Sequence, residues 1–75
     1  MHGEDAFKVE GIVIEVLPNR TCWVELPNGH RLRGYAPGRA AEWLKRANPG
    51  TKVRLQLSAY DLSEGRILLD REKVL

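Results

Sequence analysis

The sequence is short of the residues on which several classes of chemistry depend. A single cysteine, Cys22, among 75 residues cannot close an intramolecular disulfide, and His2 and His30 supply no metal-ligand spacing beside it. No glycine-rich loop precedes a helical pattern as a phosphate cradle would, and no Ser/His/Asp or Cys/His order is present. The acids Glu10, Glu15, Glu25, Glu42, Asp61 and Glu64 are scattered over strand faces and turns rather than paired as a general acid and base. The expectation is a protein that is not an enzyme and needs no metal or other cofactor. No apolar run approaches the ~20 residues of a membrane span. Met1 to Glu10 carries acids where a signal peptide carries a basic and then an apolar stretch. A cytoplasmic protein with no membrane partner is expected.

Aromatics are also few, with Phe7, Trp23, Tyr35, Trp43 and Tyr60 as the full set. A content of 43% hydrophobic and 29% charged residues still supports folding, and a chain this short buries only ~60% of its unfolded surface around one core. The organisation expected is a flexible N-terminus over residues 1–6, one folded domain over 7–70 and a charged tail over 71–75, acting as a monomer.

The overall charge of +2 conceals an asymmetry. Met1 to Pro18 sets Lys8 against Glu4, Asp5, Glu10 and Glu15, a net −3. Asn19 to Arg54 sets eight cations, Arg20, Arg31, Arg33, Arg39, Lys45, Arg46, Lys52 and Arg54, against Glu25 and Glu42, a net +6. The remainder is −1. A middle segment this basic suits a polyanion, with scattered solubilising charge as the alternative.

Periodicity supplies the architecture. Phe7 to Leu17 is rich in β-branched residues and apolar on both parities after Gly11, as expected of a long strand with a bend at Gly11 and different surroundings at its two ends. Leu17-Pro18-Asn19-Arg20 breaks it. Thr21 to Leu26 then alternates, as does the run after Pro27-Asn28-Gly29. A two-residue turn would pair Leu26 with Arg31 and mix apolar with charged residues on both faces. A three-residue turn, with Gly29 left-handed, pairs Leu26 with His30, Glu25 with Arg31, Val24 with Leu32 and Trp23 with Arg33. This register sends Cys22, Val24 and Leu32 inward and Thr21, Trp23, Glu25, Arg31, Arg33 and Tyr35 outward.

Within Arg39 to Ala47, Ala40, Trp43, Leu44 and Ala47 fall on one face of a short helix, which predicts Trp43 as a buried plug. Glu42 and Arg46 stand at i and i+4, a spacing that supports an ion pair. Asn48-Pro49-Gly50 ends the helix. Lys52 to Ser58 alternates as a fourth strand, Tyr60 to Gly65 reads as a turn-rich connection, and Arg66 to Asp70 as a fifth strand. Three meandering strands, a helix and a final hairpin are the element order of an all-β OB-fold, a five-stranded Greek-key barrel with one short helix between strands three and four. An SH3-like barrel is of similar length but does not normally carry a helix there.

Cations interleaved with aromatics on a sheet face bind unpaired nucleic acid, because bases stack on rings and cations track phosphates. Trp23, Arg31, Arg33 and Tyr35 fit that description. Trp23 could instead do no more than cover Arg33 in a cation–π pair. His30 is read first as a partner for loop backbone, and Cys22 as a small core residue.

Three literal strings carry a family resemblance: Gly11-Ile12-Val13-Ile14-Glu15-Val16-Leu17-Pro18-Asn19, Val24-Glu25-Leu26-Pro27-Asn28-Gly29-His30, and Tyr60-Asp61-Leu62-Ser63-Glu64-Gly65-Arg66-Ile67. With Gly38-Arg39, Arg46, Pro49-Gly50 and Lys52-Val53 between them, the chain resembles bacterial translation initiation factor one from Glu4 to about Arg71. The resemblance implies a non-enzymatic factor in the decoding A site of the small ribosomal subunit, touching rRNA and an adjacent ribosomal protein. It would work with initiation factors two and three and keep elongator tRNA out. Carried over by position, Asn19, Arg20, Asn28, Gly29, His30, Gly38, Arg39, Arg46, Tyr60, Arg66 and Arg71 join the strand residues as contact or scaffold positions.

The departures are equally specific. Arg39-Ala40-Ala41-Glu42 stands where the family usually has a basic run after the glycine. Cys22 replaces an aromatic, Trp23 stands where arginine is common, and Leu68, Leu69, Asp70 and Glu72 replace a more basic, aromatic ending. A ribosome-independent single-stranded RNA-binding protein or RNA chaperone of cold-shock-like type is the second hypothesis, and a protein-interaction module using the Trp23 face is the third.

Overall fold

The computed structural model describes residues 6–69. The expected flexible N-terminus lies outside them except for Ala6, and the tail 71–75 lies wholly outside. The elements are β1 (Ala6–Leu17), β2 (Thr21–Glu25), β3 (Arg31–Tyr35), α1 (Ala40–Arg46), β4 (Lys52–Ser58) and β5 (Asp61–Leu68). The strands close into a barrel in the order β1-β2-β3-β5-β4, antiparallel throughout except where β3 runs parallel to β5. This is the OB barrel that the element order predicts, with its helix between the third and fourth strands.

β1 is long because its two halves serve different neighbours. Ala6 to Ile12 pairs with β4, and Ile12 to Leu17 pairs with β2, and the buried positions Gly11 and Val13 lie where the two pairings meet. The ladder with β4 runs unbroken past Gly11, and the register with β2 shifts between Val13 and Glu15, leaving Ile14 as the extra residue of a bulge. Gly11 is needed for close approach, since a Cβ at that position would lie 2.5 Å from Val24 Cγ1 and 3.0 Å from the Glu25 carbonyl oxygen. The strand can pass from one neighbour to the other only where it lacks a side chain.

The β2–β3 hairpin takes the register of the three-residue turn, with Glu25 opposite Arg31, Val24 opposite Leu32 and Trp23 opposite Arg33. The Leu26 N–H donates to the His30 carbonyl at 2.8 Å and the Gly29 N–H to the Leu26 carbonyl at 2.9 Å. Gly29 sits at φ 90°, in the left-handed region that glycine adopts without a Cβ clash. Cys22, Val24 and Leu32 are accordingly buried, beside Val13 and the inward row Val53, Leu55 and Leu57 of β4.

α1 is only seven residues long and has no side-chain cap, so its stability comes from packing rather than propensity. Ala40 and Leu44 provide that packing and are buried. Trp43 corrects an expectation: it packs against the core cluster but stays half-buried. A helical stripe specifies which face turns inward, not how deep a large ring sits at its margin. The i,i+4 pair also fails to form, because Glu42 Oε2 lies 3.6 Å from Lys45 Nζ, one position earlier.

The fifth strand departs most from expectation. It begins at Asp61 rather than Arg66 and ends at Leu68, with Asp70 outside the described residues. Ser58 pairs with Asp61 while the preceding Leu57 pairs with Gly65, so Leu62, Ser63 and Glu64 form an outward excursion. Asp61 to Glu64 are all exposed, which removes the apolar alternation by which a strand is recognised in sequence.

Two substitutions test this packing by chemical denaturation. Gly11→Ala should destabilise the barrel by ~1 to 3 kcal/mol, the usual range for overpacking; unchanged stability would mean that β1 does not cross this close to Val24. Trp43→Ala should cost about 2 kcal/mol, below the ~3 to 5 kcal/mol of a fully buried aromatic.

Candidate nucleic-acid interface

Cross-strand partners share a sheet face, so the barrel registers define rows of side chains. One row runs Glu15, Trp23, Arg33 and Glu64 across β1, β2, β3 and β5. The next runs Leu17, Thr21, Tyr35, Arg66 and Gln56 and ends on β4. Trp23 keeps 36% of its surface exposed while the Arg33 guanidinium carbon stands 5.5 Å from its ring centroid, inside cation–π range. The pairing and the exposure coexist, and an exposed pair of this kind contributes ~0.5 to 1 kcal/mol. Arg31 lies two residue pairs further along, 3.8 Å from Glu25. Both side chains are solvated, so that ion pair is nearly neutral for stability.

The strand parity set by the Gly29 turn thus gathers Trp23, Arg31, Arg33 and Tyr35, and the parallel β3–β5 pairing adds Arg66. At one end of this face the β1–β2 turn presents Asn19 and Arg20, at φ 64° and 62°. A hydrogen bond from the Thr21 hydroxyl to the Pro18 carbonyl (2.7 Å) and another from the Ala36 N–H to the Arg20 carbonyl (2.8 Å) hold that turn against the exit of β3. Asn19 and Arg20 therefore sit beside the loop that leads through Gly38 and Arg39 into α1. Arg46 is exposed in the last turn of the helix.

Asn28, Gly29, His30 and Tyr60 lie toward the other end of the barrel and do not join this cluster. Asn28 Oδ1 accepts the His30 N–H at 2.9 Å, and His30 Nε2–H donates to the Leu62 carbonyl at 2.9 Å. A carbonyl can only accept, so this contact places the proton on Nε2. These residues shape the turn, and the His30 ring reaches the backbone of β5 rather than that of its own loop. Tyr60, at the β4–β5 turn, is 82% exposed. Arg71 lies outside the described residues. Every other expected contact residue is exposed.

Two features were missed from sequence. Glu15 and Glu64 bracket the Trp23–Arg33 pair, a placement that depends on the bulged β1–β2 register and on the β3–β5 register and carries no local signal. A groove of about 470 Å³ is lined by Gly11, Ile12, Leu26 and Pro27 together with Glu10, Glu25 and Lys52, assembled from three segments distant in sequence. Cys22 has no place in the interface. Burial pushes its thiol up, and the weaker opposing effect is a backbone hydrogen bond with Gly34. Among the described residues no three His, Cys, Asp or Glu side chains are grouped to hold a metal, and no helix is long and apolar enough to cross a membrane.

No protein-family model matches the sequence. Among solved structures, the chain is similar to the solution structure of translation initiation factor one from the Wolbachia endosymbiont strain TRS of Brugia malayi. The two are 30% identical, the match covers 91% of this chain and 80% of that one, and the TM-score is 0.67. With likeness in both sequence and barrel spanning most of each chain, this protein belongs to the translation initiation factor one family.

Proposed function

We propose that this protein is a translation initiation factor that binds the decoding A site of the small ribosomal subunit through rRNA. It lies there beside a ribosomal protein and acts with initiation factors two and three. Family membership supports the initiation role. The observation that supports RNA contact is the Trp23–Arg33 pair, exposed and flanked by Tyr35, Arg31 and Arg66 on one face. A base stacked on an exposed ring contributes ~1 to 3 kcal/mol, and the arginines neutralise the phosphates that accompany it. Asn19, Arg20, Gly38, Arg39 and Arg46 extend the contact around one end of the barrel. The action is occupancy: a rigid domain seated in the A site excludes tRNA by volume, and no bond is made or broken.

A second reading, an RNA-binding protein acting away from ribosomes, is favoured by the altered loop. Ala40 faces the core, and Glu42 is turned toward Lys45, so the loop offers Arg39 alone before the helix. Co-sedimentation with purified small subunits, with and without an A-site competitor, separates the two. Saturable binding that the competitor abolishes is expected. Tighter binding to unstructured RNA than to subunits would favour the second reading.

Affinity for oligouridine should fall steeply with salt, with a slope of log K against log salt of about −2 to −4 for roughly three to five phosphate contacts on single strands. A flat dependence would reject the electrostatic account. Arg33→Glu should weaken this binding at least tenfold. Ala41→Arg combined with Glu42→Lys adds three units of positive charge to the loop, and subunit affinity measured by filter binding should rise with a steeper salt slope. No gain on subunits, with a gain on oligouridine, would mean that the loop does not face rRNA.

A further inference from the structure

The barrel is closed, so the row that passes through Tyr35 and Arg66 to Gln56 of β4 meets the first half of β1 there, where Gln56 stands opposite Lys8. Neighbouring strands lie about 4.8 Å apart, and Tyr35, Arg66, Gln56 and Lys8 thus form one continuous line across four strands. Two residues from Gln56 on the same face of β4, Arg54 stands beside that line. Tyr35, Arg66, Arg54 and Lys8 are exposed and Gln56 is half-buried. The line itself holds no acid. Among the described residues Arg31 pairs with Glu25 and Lys45 with Glu42, and no carboxylate there is paired with Lys8, Arg54 or Arg66.

The nearest acids mark its edges. Glu64 stands two residues before Arg66, opposite Arg33, and Glu10 stands opposite Arg54. A polyanion stacked on Trp23 is repelled from β5 at Glu64 and finds its next ring at Tyr35, 42% exposed, with Arg66 directly opposite. Beyond it the Gln56 amide can donate or accept a hydrogen bond, and the Arg66 and Arg54 guanidiniums are forks that fit phosphate oxygens. OB-folds take ~4 to 16 nucleotides of a single strand. The Trp23 face fills only the short end of that range, and the line onto β4 and Lys8 extends it without a break.

We propose that an unpaired RNA strand stacked on Trp23 continues over Tyr35 and around the barrel, its phosphates held in turn by Arg66, Arg54 and Lys8. The inference rests on the RNA-contact reading of the Trp23 face above. It adds Lys8, Arg54 and Gln56 to the contact residues and makes β4 a binding strand.

The test compares tetrauridine, short enough for the Trp23 face alone, with dodecauridine, each titrated over a range of salt. The slope of log K against log salt should be steeper for the longer strand by about 1 to 2, at ~0.7 for each added phosphate contact. Lys8→Gln with Arg54→Gln removes two exposed cations. It should weaken dodecauridine binding about tenfold, flatten its slope by about 1.4 and leave tetrauridine affinity within twofold. Glu10→Gln should strengthen dodecauridine binding. Equal slopes for the two lengths, equal losses on both strands in the double variant, full retention of dodecauridine affinity there, or weaker dodecauridine binding by Glu10→Gln overturns the inference and leaves the Trp23 face standing. Failure of the unaltered protein to bind either strand overturns the RNA-contact reading and this inference with it. Affinity for purified small subunits identifies the source of the strand. A matching loss in the double variant places rRNA on the track, an unchanged affinity gives the track to a free RNA, and both uphold it.

Discussion

The parity of the β2–β3 hairpin is the constraint on which the rest of the molecule depends. Side chains alternate with period two, so a slip of one residue between the two strands would set Leu26 opposite Arg31 and Glu25 opposite Leu32 and mix apolar with charged residues on both faces. The three-residue turn at Pro27, Asn28 and Gly29 prevents this. Its left-handed glycine and its two backbone hydrogen bonds fix Leu26 opposite His30, and each pair beyond follows. The same turn therefore determines both what packs inside and what a nucleic acid would meet outside.

Closure of the barrel makes that face rigid, and β1 makes closure possible. One strand contributes to two pairings because its bulge lies at Ile14 and because Gly11 lets the backbone approach Val24. The weaker seam is between β3 and β5, where only Arg33 to Tyr35 pair with Glu64 to Arg66. There the His30 side chain replaces ladder hydrogen bonds by reaching the Leu62 carbonyl.

Much of this was legible in the sequence, and the reasons differ by element. The hairpin register followed from parity alone, because only one turn length separates apolar from charged residues. β4 and the helix showed through their periods, and the three literal strings carried the family. What escaped were features created by tertiary pairing. The first residues of β5 are strand only because Ser58 and Arg33 provide partners for Asp61 and Glu64. A lone glycine such as Gly11 does not reveal in sequence what passes above it. Trp43 sat on the inward stripe, but its depth depends on how the helix lies across the barrel end. Glu42 had cations at both i+3 and i+4, and spacing does not choose between them. The expected contact residues were all placed on the surface wherever described, yet their division between two ends of the barrel required the closed topology.

The central claim, that Trp23 is the stacking surface on which RNA is held, is tested most directly by fluorescence. With Trp43→Phe leaving Trp23 as the sole tryptophan, titration with purified small subunits should quench its emission and shield it from acrylamide, saturating in step with co-sedimentation. Saturable binding that leaves the emission and the acrylamide accessibility of Trp23 unchanged would contradict the account.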